Sequence, residues 1–169
     1  MRVDVYDRHD AYVGTIGPRQ LLSMVHTDEL NGSDELSITT AFPLHEGYRL
    51  VWTDRLGTVH EHVCQKPKAS RETGGVVWTD TALNSICELF GDFIFDKRPY
   101  GYGFLQALNV CLEPTRWEAG TVDQRGTVDK GLTFYHTSSR EALQELGQLH
   151  GLHPELLYTF VLLHVNKSC

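Results

Sequence analysis

Residues 49–63 read RLVWTDRLGTVHEHV, and the fold of the chain turns on how that stretch pairs with itself. Two runs rich in β-branched and aromatic residues, 50–53 and 58–63, flank Asp54-Arg55-Leu56-Gly57. An Asp opening a turn can accept hydrogen bonds from the backbone just downstream, and Gly57 can take the positive φ of a type I turn closed by a bulge. Setting Asp54 opposite Thr58 places Trp52 across from His60 and Leu50 across from His62 on one face. Thr53 then faces Val59 and Val51 faces Glu61 on the other. A two-stranded ribbon is marginal alone, so further strands or a helix must cover the Trp52 face.

Upstream, the alternation continues. Residues 3–6 and 11–16 form a first hairpin turned by Asp7 or Asp10, and Gly17-Pro18 breaks the second strand. Residues 21–30 and 35–42 flank Asn31-Gly32, a strong hairpin signal. Leu36, Ile38, Thr40 and Phe42 share one face, which is expected to be buried. The partner run places Leu22, Met24 and His26 together and Leu21, Ser23 and Val25 opposite. Its weak alternation points to a bulge, an edge position or a short helical entry.

Downstream, residues 66–75 read as a solvated loop and 76–79 as a strand. The period then changes. Leu83, Ile86, Cys87 and Phe90 fall at helical spacing, with Gly91 placed just past the helix end. Phe93-Ile94-Phe95 reads as a short buried strand. Phe104, Leu105, Leu108, Cys111 and Leu112 mark a second helix, stopped by Pro114. Strand-like pieces follow at Thr121-Val122 and 133–136. Ser138-Ser139-Arg140-Glu141 is a capping box that opens a helix with Ala142, Leu143 and Leu146 inward. Residues 152–165 read as a short strand or helix. The expected class is α+β, with an antiparallel β-rich first part and helices near 83–90, 103–112 and 139–147.

Composition narrows the function. At 169 residues and 41% apolar, the chain can build a sizeable core. A net charge of −7, with one local basic cluster at Lys66, Lys68 and Arg71, argues against nucleic-acid binding. No stretch approaches the roughly 18 apolar residues of a membrane span, and Met1-Arg2-Val3-Asp4 opens no secretory signal. Cys64, Cys87, Cys111 and Cys169 are widely spaced, which suits free thiols in a reducing cytoplasm.

The strongest chemical candidate is His60-Glu61-His62. On a strand both imidazoles point to one face, as metal ligands do, and His26 or His45 could supply a third ligand. Two histidines packed on Trp52 and Leu50 explain the pattern more simply, so no metal is assigned. Asp28, Glu29, Asp34 and Glu35 around Asn31-Gly32 lack the alternating oxygens of a calcium loop. Ser138 and Ser139 lack a nucleophile elbow. Gly101-Tyr102-Gly103 lacks the lysine and third glycine of a phosphate cradle. The 113–118 turn places Arg116 to stack on Trp117 or cap a helix. No catalytic residue and no cofactor is expected.

Several of these pieces, in this order, resemble one family. Glu29-Leu30-Asn31-Gly32 running into Glu35-Leu36-Ser37-Ile38 resembles the ELNG hairpin of phage tail-tip hub proteins, also called prophage tail endopeptidases, tail-associated lysins or minor structural proteins. RLVWTDRLGTVHEHV, the segment at 84–92, the turn Glu113-Pro114-Thr115-Arg116-Trp117 and Phe134-Tyr135-His136 with Ser139-Arg140-Glu141-Ala142-Leu143 fit it too. The resemblance covers residues 2–147; residues 148–169 depart from it. It implies a tube-like, partial β-barrel domain over 1–80, a helix-containing α+β insertion over 81–147 and a divergent tail over 148–169. It also implies a homotrimer in the tail tip of a virion or prophage, the baseplate hub, touching the distal tail protein, tail tube or tape-measure protein. The peptidase activity of such proteins belongs to C-terminal extensions, so this N-terminal portion is expected to be structural and not an enzyme. The alternatives are a small metal-dependent hydrolase using His60 and His62, or a monomeric binding module.

Overall fold

In a computed structural model the described residues are 1–29, 33–120, 132–149 and 161–163. They divide into two compact units, Met1–Ser85 and Ile86–Cys169. The first unit holds β1 (Val3–Tyr6), β2 (Tyr12–Ile16), β3 (Leu21–Asp28), β4 (Asp34–Thr40), β5 (Arg49–Thr53), β6 (Val59–Val63), β7 (Lys68–Glu72) and β8 (Gly75–Asn84). All eight join one antiparallel sheet in the order β2-β1-β5-β6-β8-β4-β3, with β7 also on β8.

The ribbon of β5 and β6 takes the register its sequence implies: Trp52 pairs with His60, Leu50 with His62 and Val51 with Glu61. Asp54 Oδ1 accepts from the amides of Leu56 and Thr58, both at 2.8 Å, and Gly57 sits at φ +88°. Strand β1 covers the ribbon's free edge, pairing Val3 with Trp52 and Val5 with Leu50. In the first hairpin Asp7 is the turn former, accepting from the amides of His9 and Ala11.

One short connection shapes this sheet. Strands β2 and β3 lie at opposite ends of the strand order, yet only residues 17–20 join them. Six flat interstrand steps would span about 29 Å, whereas so short a linker reaches at most about 18 Å. The sheet must therefore roll toward its own far edge. Phe42, just after β4, confirms the approach: its ring would lie 3.2 Å from a Cβ placed on Gly14 of β2. Among the described strands β2 and β3 do not pair, so no closed barrel forms. The rolled inner face carries the core, including Val3, Val5, Ile16, Leu36, Ile38 and Leu50.

Edge strand β3 carries the expected bulge, between Leu21 and Ser23. The extra residue is Leu22, which turns outward and is exposed, while Leu21 packs on the core. The face sharing read from strict alternation is thereby corrected: Leu21, not Leu22, joins Met24 and His26. The β3–β4 hairpin is present, but its Asn31-Gly32 turn lies outside the described residues.

Other expectations change. Residues 66–75 are not all loop, because β7 pairs along β8 with every residue exposed. It has no apolar alternation to betray it, and its place is set by the backbone ladder it forms with β8. The helix expected over 83–90 is also shortened: Leu83 and Asn84 finish β8, and only Ser85–Phe90 turn, as a 3₁₀ helix. Gly91 is not left-handed, as a helix-ending glycine would be; Gly101 is, at φ +67°.

The second unit contains β9 (Phe93–Lys97), α1 (Phe104–Leu112), β10 (Trp117–Ala119), β11 (Phe134–Ser138), α2 (Ser139–Leu149) and β12 (Val161–Leu163). Strand β9 pairs antiparallel with β11, and β10 with β12. Of the Phe93-Ile94-Phe95 run only Ile94 is buried; both phenylalanines are exposed. The capping box forms as read: Ser138 Oγ accepts the Glu141 amide, and Glu141 Oε2 accepts from the Ser138 amide. Ala142, Leu143 and Leu146 of α2 join Phe104, Leu108 and Phe134 in a separate core. The Thr121-Val122 piece and most of 152–165 lie outside the described residues.

Truncating Leu50, which is fully buried, to Ala should destabilise the first unit by about 2–5 kcal/mol. The matching Leu56→Ala in the exposed turn should stay within about 0.5 kcal/mol. Urea unfolding of both variants measures the difference, and equal effects would contradict the inward placement of Leu50.

Candidate functional site

The rolling sheet gathers side chains from five neighbouring strands at one end of the inner face. Trp52 comes from β5, His60 and His62 from β6, Asn84 from β8, Asp34 from β4 and His26 from β3. In a flat sheet β3 and β5 would stand about 19 Å apart. Here the His26 ring lies 5.1 Å from that of Trp52, 4.9 Å from His60 and 5.1 Å from His62. His60 stacks on Trp52 at 4.5 Å with 17° between the planes.

Hydrogen bonding fixes the protons. Trp52 Nε1 can only donate, and it lies 3.3 Å from His62 Nδ1. That nitrogen therefore accepts, which leaves the imidazole proton on Nε2. His62 Nε2 donates to Asp34 Oδ1 at 2.9 Å, and His26 Nε2 meets the same oxygen at 2.7 Å. Asn84 Nδ2 donates to Asp34 Oδ2. Burial alone would raise the Asp34 carboxyl, but hydrogen bonds from His62, His26 and Asn84 outweigh it and hold the group well below the usual carboxylate range. His60 looks elsewhere, placing Nε2 3.2 Å from Asp54 Oδ2.

Three ligand-type groups thus converge: one atom each of His26, Asp34 and His62 lie within 4.8 Å of one another. A metal would need the lone pair of His62 Nε2, forcing the proton onto Nδ1. Nδ1–H would then oppose Trp52 Nε1–H, donor against donor, with both buried. Trp52 thereby favours the hydrogen-bonded arrangement over a metal centre.

Of the histidines singled out in the sequence, His60, His62 and His26 come together; His45 instead packs on Tyr48 and Trp78. Asp34, classed from sequence as a hairpin-tip acid, was the missed member. Its phase was the available signal, since it shares the face of Leu36, Ile38 and Thr40. Asn84 was missed because its segment reads as helix.

The remaining candidates resolve into structure. Ser138 is taken by its cap, and Gly101-Tyr102-Gly103 is a turn ahead of α1. Arg116 lies 5.3 Å from the Trp117 ring centroid and pairs with Glu88 at 2.8 Å. Burial, with Glu145 adding, pushes the Cys111 thiol up to about 12; burial and Asp80 push Cys64 up as well. Neither is a poised thiolate. No described helix is long and apolar enough to cross a membrane.

No protein-family model matches the chain. No curated protein matches it either. A solved structure does. The tail protein from Neisseria meningitidis MC58 superposes with a TM-score of 0.53 at 14% identity, covering 90% of this chain and 41% of that one. The two share a fold, and this chain spans less than half the length of its neighbour.

The lowered Asp34 carboxyl sets a sign. Its stabilisation is complete above the ordinary aspartate value of 3.8 and is lost as pH falls through the lower folded value. Asp34→Asn should cost about 1–2 kcal/mol at neutral pH, a range reduced because the site is partly exposed. It should also flatten the loss of stability below about pH 4. Urea titrations of both proteins from neutral to acid pH report the two effects, and an unchanged acid limb would count against the network.

Proposed function

We propose that this chain is a non-catalytic structural component of a phage or prophage tail, the N-terminal part of a tail-tip hub. The observation that carries the reading is the likeness to a tail protein across nine-tenths of this chain, at 90% coverage. It agrees with the ordered series of hub-like motifs in the sequence, from the hairpin at 29–38 to the helix opened by Ser138. The rolled, unclosed sheet fits the tube-like, partial-barrel domain that such a role requires. The two strands that end its main path, β2 and β3, carry no Lys, Arg or Pro that would discourage pairing with another chain.

The reading makes the chain a ring-former. Identical copies, most simply a homotrimer, would complete the tube, with the distal tail protein, tail tube or tape-measure protein as neighbours in the tail tip. The charge of −7 suits a passage for DNA, since like charge weakens contact with phosphates. The hydrolase alternative loses support because Trp52 opposes the metal that His60 and His62 would need.

Sedimentation equilibrium tests the assembly: the expected species has three times the 19.1 kDa chain mass. Val25→Lys, on an exposed position of edge strand β3, should shift that species toward monomer without altering the circular dichroism. A chain that stays monomeric at every concentration would overturn the ring-forming reading.

A further inference from the structure

We propose that the basic edge of strand β7 receives the acidic end of strand β3 from a second copy of this chain, so that copies join head to tail. The inference deepens the ring-forming reading and rests on it, by naming the two surfaces that meet.

Among the described strands three edges are open. Strands β2 and β3 end the main path, and β7 pairs only with β8. A closed ring of identical copies needs two different patches that fit each other, because a patch that fits only itself stops at a dimer. Strand direction narrows the choice. From β7 through β8 and β4 to β3 every neighbouring pair is antiparallel. Three such steps leave β7 and β3 running in opposite senses. Rotation about an axis along the strands preserves those senses, so β3 of one copy meets β7 of the next antiparallel. Six steps separate β3 from β2, and those two would meet parallel, in the less stable ladder. Strand β2 could meet β7 antiparallel, and there charge decides. The run Tyr12–Ile16 has no charged side chain to answer those of β7.

Strand β7 reads KASRE, with all five residues exposed. Lys68 and Arg71 on β7, and Asp28 and Glu29 at the end of β3, are exposed and engage no ion-pair partner among the described residues. Cations on an open edge deter indiscriminate pairing, but they admit a strand that carries acids. The faces also agree. Asp28 lies opposite Asp34, on the face of Leu36 and Ile38, and Arg71 lies opposite Val76, on the face of Trp78 and Ala82. The β4–β8 ladder makes these one face of the sheet. Lys68 lies opposite Thr79 on the reverse face, to which alternation carries Glu29. Setting Arg71 opposite Asp28 therefore places Lys68 diagonal to Glu29, with opposite charges meeting on both faces. Residues 17–20 tether the Leu21 end of β3 to β2. Asp28 is about 23 Å further along the strand, so the acidic end is the part of this edge farthest from the tether.

Sedimentation equilibrium of the intact chain and three variants tests the junction. Lys68→Glu with Arg71→Glu sets like charges against β3, and Asp28→Lys with Glu29→Lys sets like charges against β7. Each pair of changes should weaken association by roughly tenfold or more per junction and shift the three-chain species toward monomer. The chain carrying all four changes has the same junction with its signs exchanged, and it should regain the three-chain species. Damage to the fold would not be repaired by two further substitutions, so that recovery separates interface from folding. If the unaltered chain assembles in threes and both paired variants assemble equally well, the β3–β7 junction is overturned while the ring-forming reading stands. A four-change chain that fails to recover overturns the junction in the same way. An unaltered chain that forms only a two-chain species, or stays monomeric at every concentration, overturns both.

Discussion

The first unit depends on the four-residue reach from β2 to β3, residues 17–20. Every strand of its main sheet is antiparallel to its neighbour, and such a sheet could lie open, one face wet. The linker forbids that by joining the two ends of the strand order. Rolling follows, and with it an interior where Val3, Val5, Ile16, Leu36, Ile38 and Leu50 lose almost all contact with water. Pro18 helps, because a fixed φ at the corner prevents β2 from running straight on.

Within the rolled sheet the ladder between β6 and β8 is short. Only His62 with Asn84 and Val63 with Leu83 pair there. Beyond that point the chain leaves β8, and β7 later rejoins the same edge. The backbone amides stranded at the gap need an acceptor, since buried unpaired donors are costly. Asp80 supplies it: its carboxylate accepts from the amides of Gln65 and Lys66 at 2.9 and 3.1 Å. A similar economy holds on the opposite face of the ribbon. There the buried Arg49 lies 3.1 Å from Asp10 and 3.5 Å from Glu61. Such pairs add little net stability but fix where each strand must sit, because removing either partner leaves an uncompensated charge.

The parts of this molecule that sequence discloses are those governed by local rules. The β5–β6 ribbon is legible because Asp54 and Gly57 fix the turn and the side-chain period fixes the register. The Ser138–Glu141 cap is legible for the same reason. Illegible features depend on distant partners. Strand β7 has no apolar face and exists because β8 offers it an edge. Residues 83–84 show helical spacing, yet the pull of β4 and β6 extends β8 through them. Leu22 follows the alternation on paper and breaks it in space, since a bulge moves every later residue by one position. Asp34 is a surface acid until the roll brings His26 and His62 to it.

The histidine pair shows why a site can be visible in sequence while its chemistry is not. A His-x-His strand says only that two imidazoles share a face, and that statement holds equally for a zinc centre and for a packed network. The deciding atom belongs to a different strand. If Trp52 were an aromatic residue without an N–H, His62 could hold its proton on Nδ1 and offer Nε2 to a metal beside Asp34 and His26. With the indole present, the proton is directed to Nε2 and the carboxylate receives it. A single donor on β5 thus determines whether the polar end of the rolled sheet is a ligand set or a fastening. Its effect on β6 requires only the register that Asp54 and Gly57 impose.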